Sequence, residues 1–358
     1  MLRKQDRRAD ARRAIRHPPP PGPSPHPKLQ LESAMRKSLI RPPLALGLAL
    51  FSGWLAASPM TNLLGQLSQF DYQDYVGNLQ AFGTRYFNTQ GNVKATNYLA
   101  DTLNSFGLSV RQDAFDYGGT RYNVEATLPG LVTPNQIFII GAHFDSTSND
   151  PQTNAPGADD NASGTAAMLE IASVLSQYQF ASTIRFIGFN AEEQGLIGSN
   201  AYAAAAQVRG DTIVGMLNLD MIAYTAGLAT QDLEVMGDKW LVDRFIADAA
   251  TYVPGLLTQA WYGDYYGSDH YYFHSSRYPG SSSLFGIEDT ATDIWSNSNP
   301  YYHKTTDTAD RLDYGFAYKV TQASAATLAD LAGLIPEPPI MLLLLPGLLL
   351  AARGRRVH

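Results

Sequence analysis

QIFIIGAHFDS, residues 136–146, is the stretch from which the fold can be read: an apolar run that passes straight into glycine, histidine and aspartate. A short continuous run of Ile and Phe is the pattern of a strand buried on both faces, as in a parallel sheet covered by helices. Two later segments repeat it: residues 183–189 run into Asn190-Ala191-Glu192-Glu193, and residues 213–219 run into Asp220. Between the first two strands, residues 163–175 read as a helix rich in Ala, Met, Leu and Ile. Upstream, residues 93–106 place Ala95, Tyr98, Leu99, Leu103 and Phe106 on one helical stripe that Gly107 closes. Residues 122–128 alternate as an outer strand would and stop at Pro129-Gly130. This alternation predicts an α/β fold, a three-layer α/β/α sandwich with a mixed, mostly parallel central sheet. In such sheets ligands bind beyond the carboxyl ends of the strands.

The residues at those ends carry the chemistry. His143, Asp160, Glu193, Asp220 and His303 form a series of five candidate metal ligands, and Glu192 is a spare carboxylate beside the third. Such a set can hold two divalent metals about 3.5–4 Å apart, with one carboxylate bridging and one left as a base. Asp145, two residues after His143, is placed to accept the other imidazole N–H and fix its tautomer. Asp159-Asp160 sits in APGADDNASG (155–164), where Gly157 and Gly164 let the backbone bring a carboxylate close to a metal. Adjacent Glu192 and Glu193 after a buried strand repel each other, so their burial implies compensating cations. Metal-assisted hydrolysis needs one ligand and one base: Glu193 is read as the ligand, and Glu192 as the group that takes a proton from water and passes it to the leaving amine.

Six segments in this order, GAHFDS (141–146), APGADDNASG, NAEEQGLIGS (190–199), NLDM (218–221), GSDHYYF (267–273) and YYHKTTDT (301–308), resemble the secreted two-zinc aminopeptidases of metallopeptidase family 28. That group, here of leucyl aminopeptidase type, has glutamate carboxypeptidases and glutaminyl cyclases among its relatives. The resemblance covers about residues 72–331. It implies a peptidase acting on peptides with a free N-terminus and using two zinc ions, for which cobalt or manganese could substitute. Asp160 would bridge the metals, His143 and Asp220 would complete one, Glu193 and His303 the other, and Glu192 would be the base. Asp160 is preferred to Asp159 because the family's bridging aspartate stands three residues before the serine of its Ser-Gly, here Ser163-Gly164. Tyr302 matches a position from which some members donate to the developing oxyanion, although Tyr301 next to it could serve. Aromatic residues between Met236 and Tyr302, including Trp240, Trp261, Tyr262, Tyr266, Phe285 and Trp295, are expected mostly in the core, with some lining a pocket for a large apolar N-terminal residue. A carboxypeptidase or dipeptidase on the same scaffold stays open. A non-catalytic surface or biofilm module would show missing ligands, and none is missing.

The ends of the chain read differently from its middle. Residues 1–34 are rich in Arg and Pro without apolar period, a disordered or untranslated extension. Residues 35–58 have a basic start, an apolar run and small residues, the pattern of a secretory signal peptide. At the other end, Ile335-Pro336-Glu337-Pro338, a Leu-rich run and three arginines resemble the PEP-CTERM sorting tag over residues 336–358. That resemblance implies a membrane exosortase as processing partner, transient membrane contact, and an exported protein of a Gram-negative bacterium, in its periplasm, on its surface or in its matrix. Residues 59–335, the expected peptidase domain, keep 12 basic against 29 acidic side chains, a net charge near −17. Such an excess repels nucleic acid. With no cysteine, the domain has neither disulfides nor thiolate metal sites and depends on its apolar core.

Overall fold

The computed structural model describes residues 58–227, 231–289 and 299–336. The N-terminal extension, the expected signal segment up to Ala57, the expected sorting tag beyond Pro336 and Trp295 lie outside the described residues. Among those described, no helix is long and apolar enough to cross a membrane.

Eight strands form one mixed sheet: β1 (Ser109–Asp116), β2 (Thr120–Leu128), β3 (Thr133–His143), β4 (Ser182–Phe189), β5 (Thr212–Leu219), β6 (Asp232–Gly237), β7 (Leu257–Tyr262) and β8 (Ser283–Asp289), in the order β1-β2-β4-β3-β5-β8-β6-β7. The three apolar runs are the adjacent central strands, β3 pairing in parallel with β4 and β5. β8 continues the parallel run beside β5, whereas β1, β2 and β6 pair antiparallel with a neighbour.

Alternation along β3 and β4 divides the core. Phe138, Ile140, Ile184 and Phe186 point into the larger cluster, while Ile137, Ile139, Ile187 and Phe189 point into the smaller one. The larger face is covered by α1 (Pro59–Leu64), α2 (Gln69–Gln80), α3 (Gln90–Ser105), α4 (Gly164–Leu175), α6 (Lys239–Tyr252) and α7 (Tyr314–Leu331). The other face carries α5 (Ile197–Arg209), packed with Phe273 and Tyr278. The three layers follow, with one outer layer much thinner than the other.

The helices start where capping chemistry allows. Ser68 and Thr89 accept from Asp71 and Asn92 backbone N–H groups at the starts of α2 and α3, and Asp313 caps α7 at Phe316. α4 instead begins on Gly164 because of close approach: a Cβ there would stand 2.2 Å from the Leu219 carbonyl oxygen. That contact presses the Asp160 loop onto the end of β5.

Candidate metal centre

His143 is the last residue of β3, Glu192 and Glu193 follow β4, and Asp220 follows β5, so three parallel strands deliver four of the side chains to one edge. Asp160 comes from the loop before α4, whose Asp160–Asn161 peptide is cis, and His303 from the loop before α7. Ala191, Met221 and His303 all adopt positive φ, near +58°, +56° and +54°. Strain of this kind beside a site is held only where the surroundings dictate it.

Each imidazole faces two carboxylates through a single nitrogen. His143 Nε2 lies 3.2 Å from Asp220 Oδ1 and 3.3 Å from Asp160 Oδ1. His303 Nε2 lies 3.0 Å from Glu193 Oε2 and 3.1 Å from Asp160 Oδ2. Asp160 thus turns one oxygen to each histidine. Glu192 groups with His143 and Asp220, its ligand atoms within 4.8 Å of theirs, whereas Glu193 groups with His143 and Asp160. Asp159 faces away: its oxygens accept from the Ala223 backbone N–H at 3.0 Å and Asn299 Nδ2 at 2.7 Å.

Electrostatics mark the same residues. Burial raises the Glu193 carboxyl to about 8, Asp160 adding to the push and His303 opposing it. Burial also drives Glu192 well above the ordinary carboxylate range against the pull of His143, with Asp220, Glu193 and Asp269 adding to the rise. Asp160 goes the other way, its burial outweighed by hydrogen bonds from both histidines. Glu193 Oε1 is buried without a hydrogen-bond partner. Crowded carboxylates, an orphaned oxygen and two imidazoles that each face two anions fit divalent cations held by oxygen and nitrogen donors.

The surrounding shell differs in part from expectation. His143 Nδ1 is nearer the Asp145 carbonyl, at 3.2 Å, than the Asp145 carboxylate, at 3.6 Å. That carboxylate is drawn instead to the backbone N–H groups of Glu192 at 3.1 Å and Glu193 at 3.3 Å, so Asp145 shapes the Glu192–Glu193 turn as well as the histidine. Of the two tyrosines, Tyr302 stacks on His303 with centroids 3.7 Å apart and borders the cavity, while Tyr301 packs on Tyr224. The cavity, about 260 Å³, is walled by Met221, Met236, Tyr266, Phe285 and Ile287 above Asp160, Glu192 and Asp220. Of the aromatics expected mostly in the core, Trp240, Tyr262 and Tyr266 are exposed, the first two turned to solvent on α6 and the edge strand β7.

Two supporting residues lay in quoted motifs but had no role in the sequence reading. Ser268 Oγ donates to Asp220 Oδ2 at 2.6 Å and accepts from Asn218 Nδ2 at 2.7 Å. Asp307 accepts from the backbone N–H groups of Asp159, at 2.9 Å, and Asp160, at 3.1 Å. Their partners are 48 and 147 residues away, a relation that local sequence does not display.

The model of peptidase family M28 matches residues 123–328, a span that begins on β2 and includes every one of these side chains. The chain belongs to peptidase family M28. Leucine aminopeptidase 1 of Coccidioides posadasii (strain C735) is 32% identical over 295 residues, covering 75% of this M28 chain and 73% of the fungal one. Among solved structures, LapB of Legionella pneumophila matches with a TM-score of 0.68 at 22% identity, covering 77% of this chain and 75% of that one. The zinc aminopeptidase BSAP of Bacillus subtilis matches at 0.64 and 17%, over 75% and 96%. At such identities these structural likenesses bear on the fold, which is the α/β arrangement expected for this M28 peptidase.

Proposed function

We propose that this M28 peptidase is an exported, zinc-dependent aminopeptidase that removes N-terminal residues, preferentially large apolar ones, from peptides. The observation that carries the reading is Asp160, whose two oxygens address two separate imidazole–carboxylate pairs. On this reading His143, Asp220, Glu193, His303 and Asp160 would hold the metal, with Asp160 common to the His143–Asp220 and Glu193–His303 positions. Zinc, when bound, supplies Lewis-acid polarisation of the scissile carbonyl and acidification of water.

The remaining steps belong to the chain's own side chains. Glu192, beside the His143 and Asp220 position, takes the proton of the attacking water and returns it to the leaving amine. Burial and the neighbouring carboxylates raise its affinity for protons, as suits a group that must take one from water and then give it up. Tyr302, although 41% exposed, keeps its proton because partial desolvation of the hydroxyl and the surrounding carboxylates raise its pKa above the ordinary range, so its O–H would donate to the carbonyl oxygen as charge develops. Met221, Met236, Phe285 and Ile287 receive an apolar side chain and would desolvate a charged one without a partner. Leucine aminopeptidases among the relatives support an N-terminal cut. Residues 35–58 support export, and residues 336–358 support processing by an exosortase at a membrane.

Aminoacyl-p-nitroanilides test the reading. The purified zinc-loaded protein hydrolyses the Leu and Phe derivatives fastest, a chelator abolishes turnover, and zinc restores it with about two ions per chain. A loaded protein inert toward every free-amine substrate but active at C-termini would overturn it.

A further inference from the structure

Arg85 lies between α2 and α3, outside every motif that points to the metal centre, yet its side chain is fully buried. Its hydrogen bonds go to backbone carbonyls of three segments. Nε donates to Phe144 at 2.7 Å, Nη1 to Leu79 at 3.2 Å and Pro156 at 2.6 Å, and Nη2 to Gly157 at 2.8 Å. Phe144 stands between His143 and Asp145, and Gly157 three residues before Asp160. One guanidinium therefore grips both sides of the contact in which His143 meets Asp160 at 3.3 Å.

The grip extends further. The Arg85 backbone N–H donates to Ser146 Oγ, which donates in turn to the Ala155 carbonyl, bracing the same two loops again. The Arg85 carbonyl accepts from Asn92 Nδ2, and Asn92 exchanges amide hydrogen bonds with Asn190, two residues before Glu192. At Gly157, where φ is +51°, a Cβ would meet Arg85 Nη2 at 3.0 Å, so the loop is laid directly on the guanidinium.

Burying a cation whose hydrogen bonds all go to carbonyls is costly, even with the Asp307, Asp145, Asp160 and Glu193 carboxylates favouring its charge, and a core residue of similar volume would fill the space without that cost. What a core residue cannot supply is the rigid fork, whose donors diverge at fixed angles and so set the distance between the loops they bind. We infer that Arg85 is a positioning residue that holds the His143–Asp145 turn and the Asp160 loop at the separation the metal centre requires. The inference rests on the proposed function of that centre.

Arg85→Lys keeps the charge and loses the fork. In full-length protein we expect R85K to fold, by circular dichroism, with zinc affinity measured by chelator competition reduced about 10–100-fold. Its kcat on a leucyl anilide falls about tenfold or more, while KM changes less than about threefold. R85K that melts earlier but binds zinc and turns over like the wild type would show a fold-stabilising role only and overturn the inference. If R85K does not fold, Ser146→Ala removes the second brace: a zinc affinity lowered about threefold or more supports the inference, and an unchanged one overturns it. A wild-type chain that binds no zinc overturns the reading of the centre and this inference with it. A wild-type chain that binds zinc beside an equally tight R85K overturns only the inference.

Discussion

Glu192 and Glu193 are neighbours in the chain with different surroundings. Glu193 meets His303 at 3.0 Å and carries an orphaned oxygen, whereas Glu192 groups with His143 and Asp220. Asp145 separates their roles by holding both of their backbone N–H groups, which turns the side chains to different parts of the centre. Glu192→Gln should therefore keep the bound zinc, measured by metal analysis, and lose about 10²–10⁴-fold in kcat, as expected for removal of a proton-transfer group. Full activity in E192Q would sink the base assignment. Ser268→Ala should act through the Asp220 position, lowering zinc affinity or kcat about 10–100-fold in a chelator titration. At this scale five candidate ligands were legible because each falls at a strand end or in a polar loop of recognisable composition. Asp160 is preferred to Asp159 from its spacing to Ser163-Gly164, and the hydrogen bonds that turn Asp159 away from the centre agree with that choice. Arg85 was not legible, because its partners are carbonyls of remote residues rather than side chains of a motif.

At the level of elements, the three central strands could be read in advance because burial on both faces leaves nearly unbroken apolar runs. β1 and β7 could not: both are edge strands, largely half-exposed, with polar residues scattered along them. α4 shows how elements hold the centre, since Gly164 touches the end of β5. Gly164→Ala should cost about 1–3 kcal/mol in a denaturant melt and loosen the Asp160 loop, visible as weaker zinc binding. The same helix carries Glu170, whose carboxyl burial raises to about 7, with the Ser68 backbone N–H opposing and Asp71 adding. A folded pKa above the unfolded value of about 4.3 means the native state holds the proton longer, so stability is lost as pH rises through this window. Glu170→Gln should remove that slope. Its advantage over the wild type would be of order 1 kcal/mol at pH 8 and near nothing at pH 4, read from urea midpoints at the two pH values.

On the scale of the whole domain, the net charge near −17 over residues 59–335 surrounds a centre that must admit a peptide. Long-range repulsion slows the encounter with acidic substrates and is screened by salt. The ratio of kcat/KM for an acidic peptide to that for a neutral one should rise between about 10 and 500 mM salt, while a flat ratio would show that only the apolar cavity discriminates. Charge of this kind is legible in composition alone, whereas the unequal thickness of the two outer layers required the structure. The strands that serve the centre are apolar on both faces, but six helices cover one face and α5 with the segment around Phe273 and Tyr278 the other.

The centre draws on residues from His143 to His303, and α7, which closes the thick layer, comes after the last of them. A chain cut before His303 lacks one imidazole of the centre and α7, even where it keeps β1 to β5 entire. On the proposed reading, peptide hydrolysis would need nearly the whole domain, and a product truncated before residue 303 should be an acidic protein without peptidase activity.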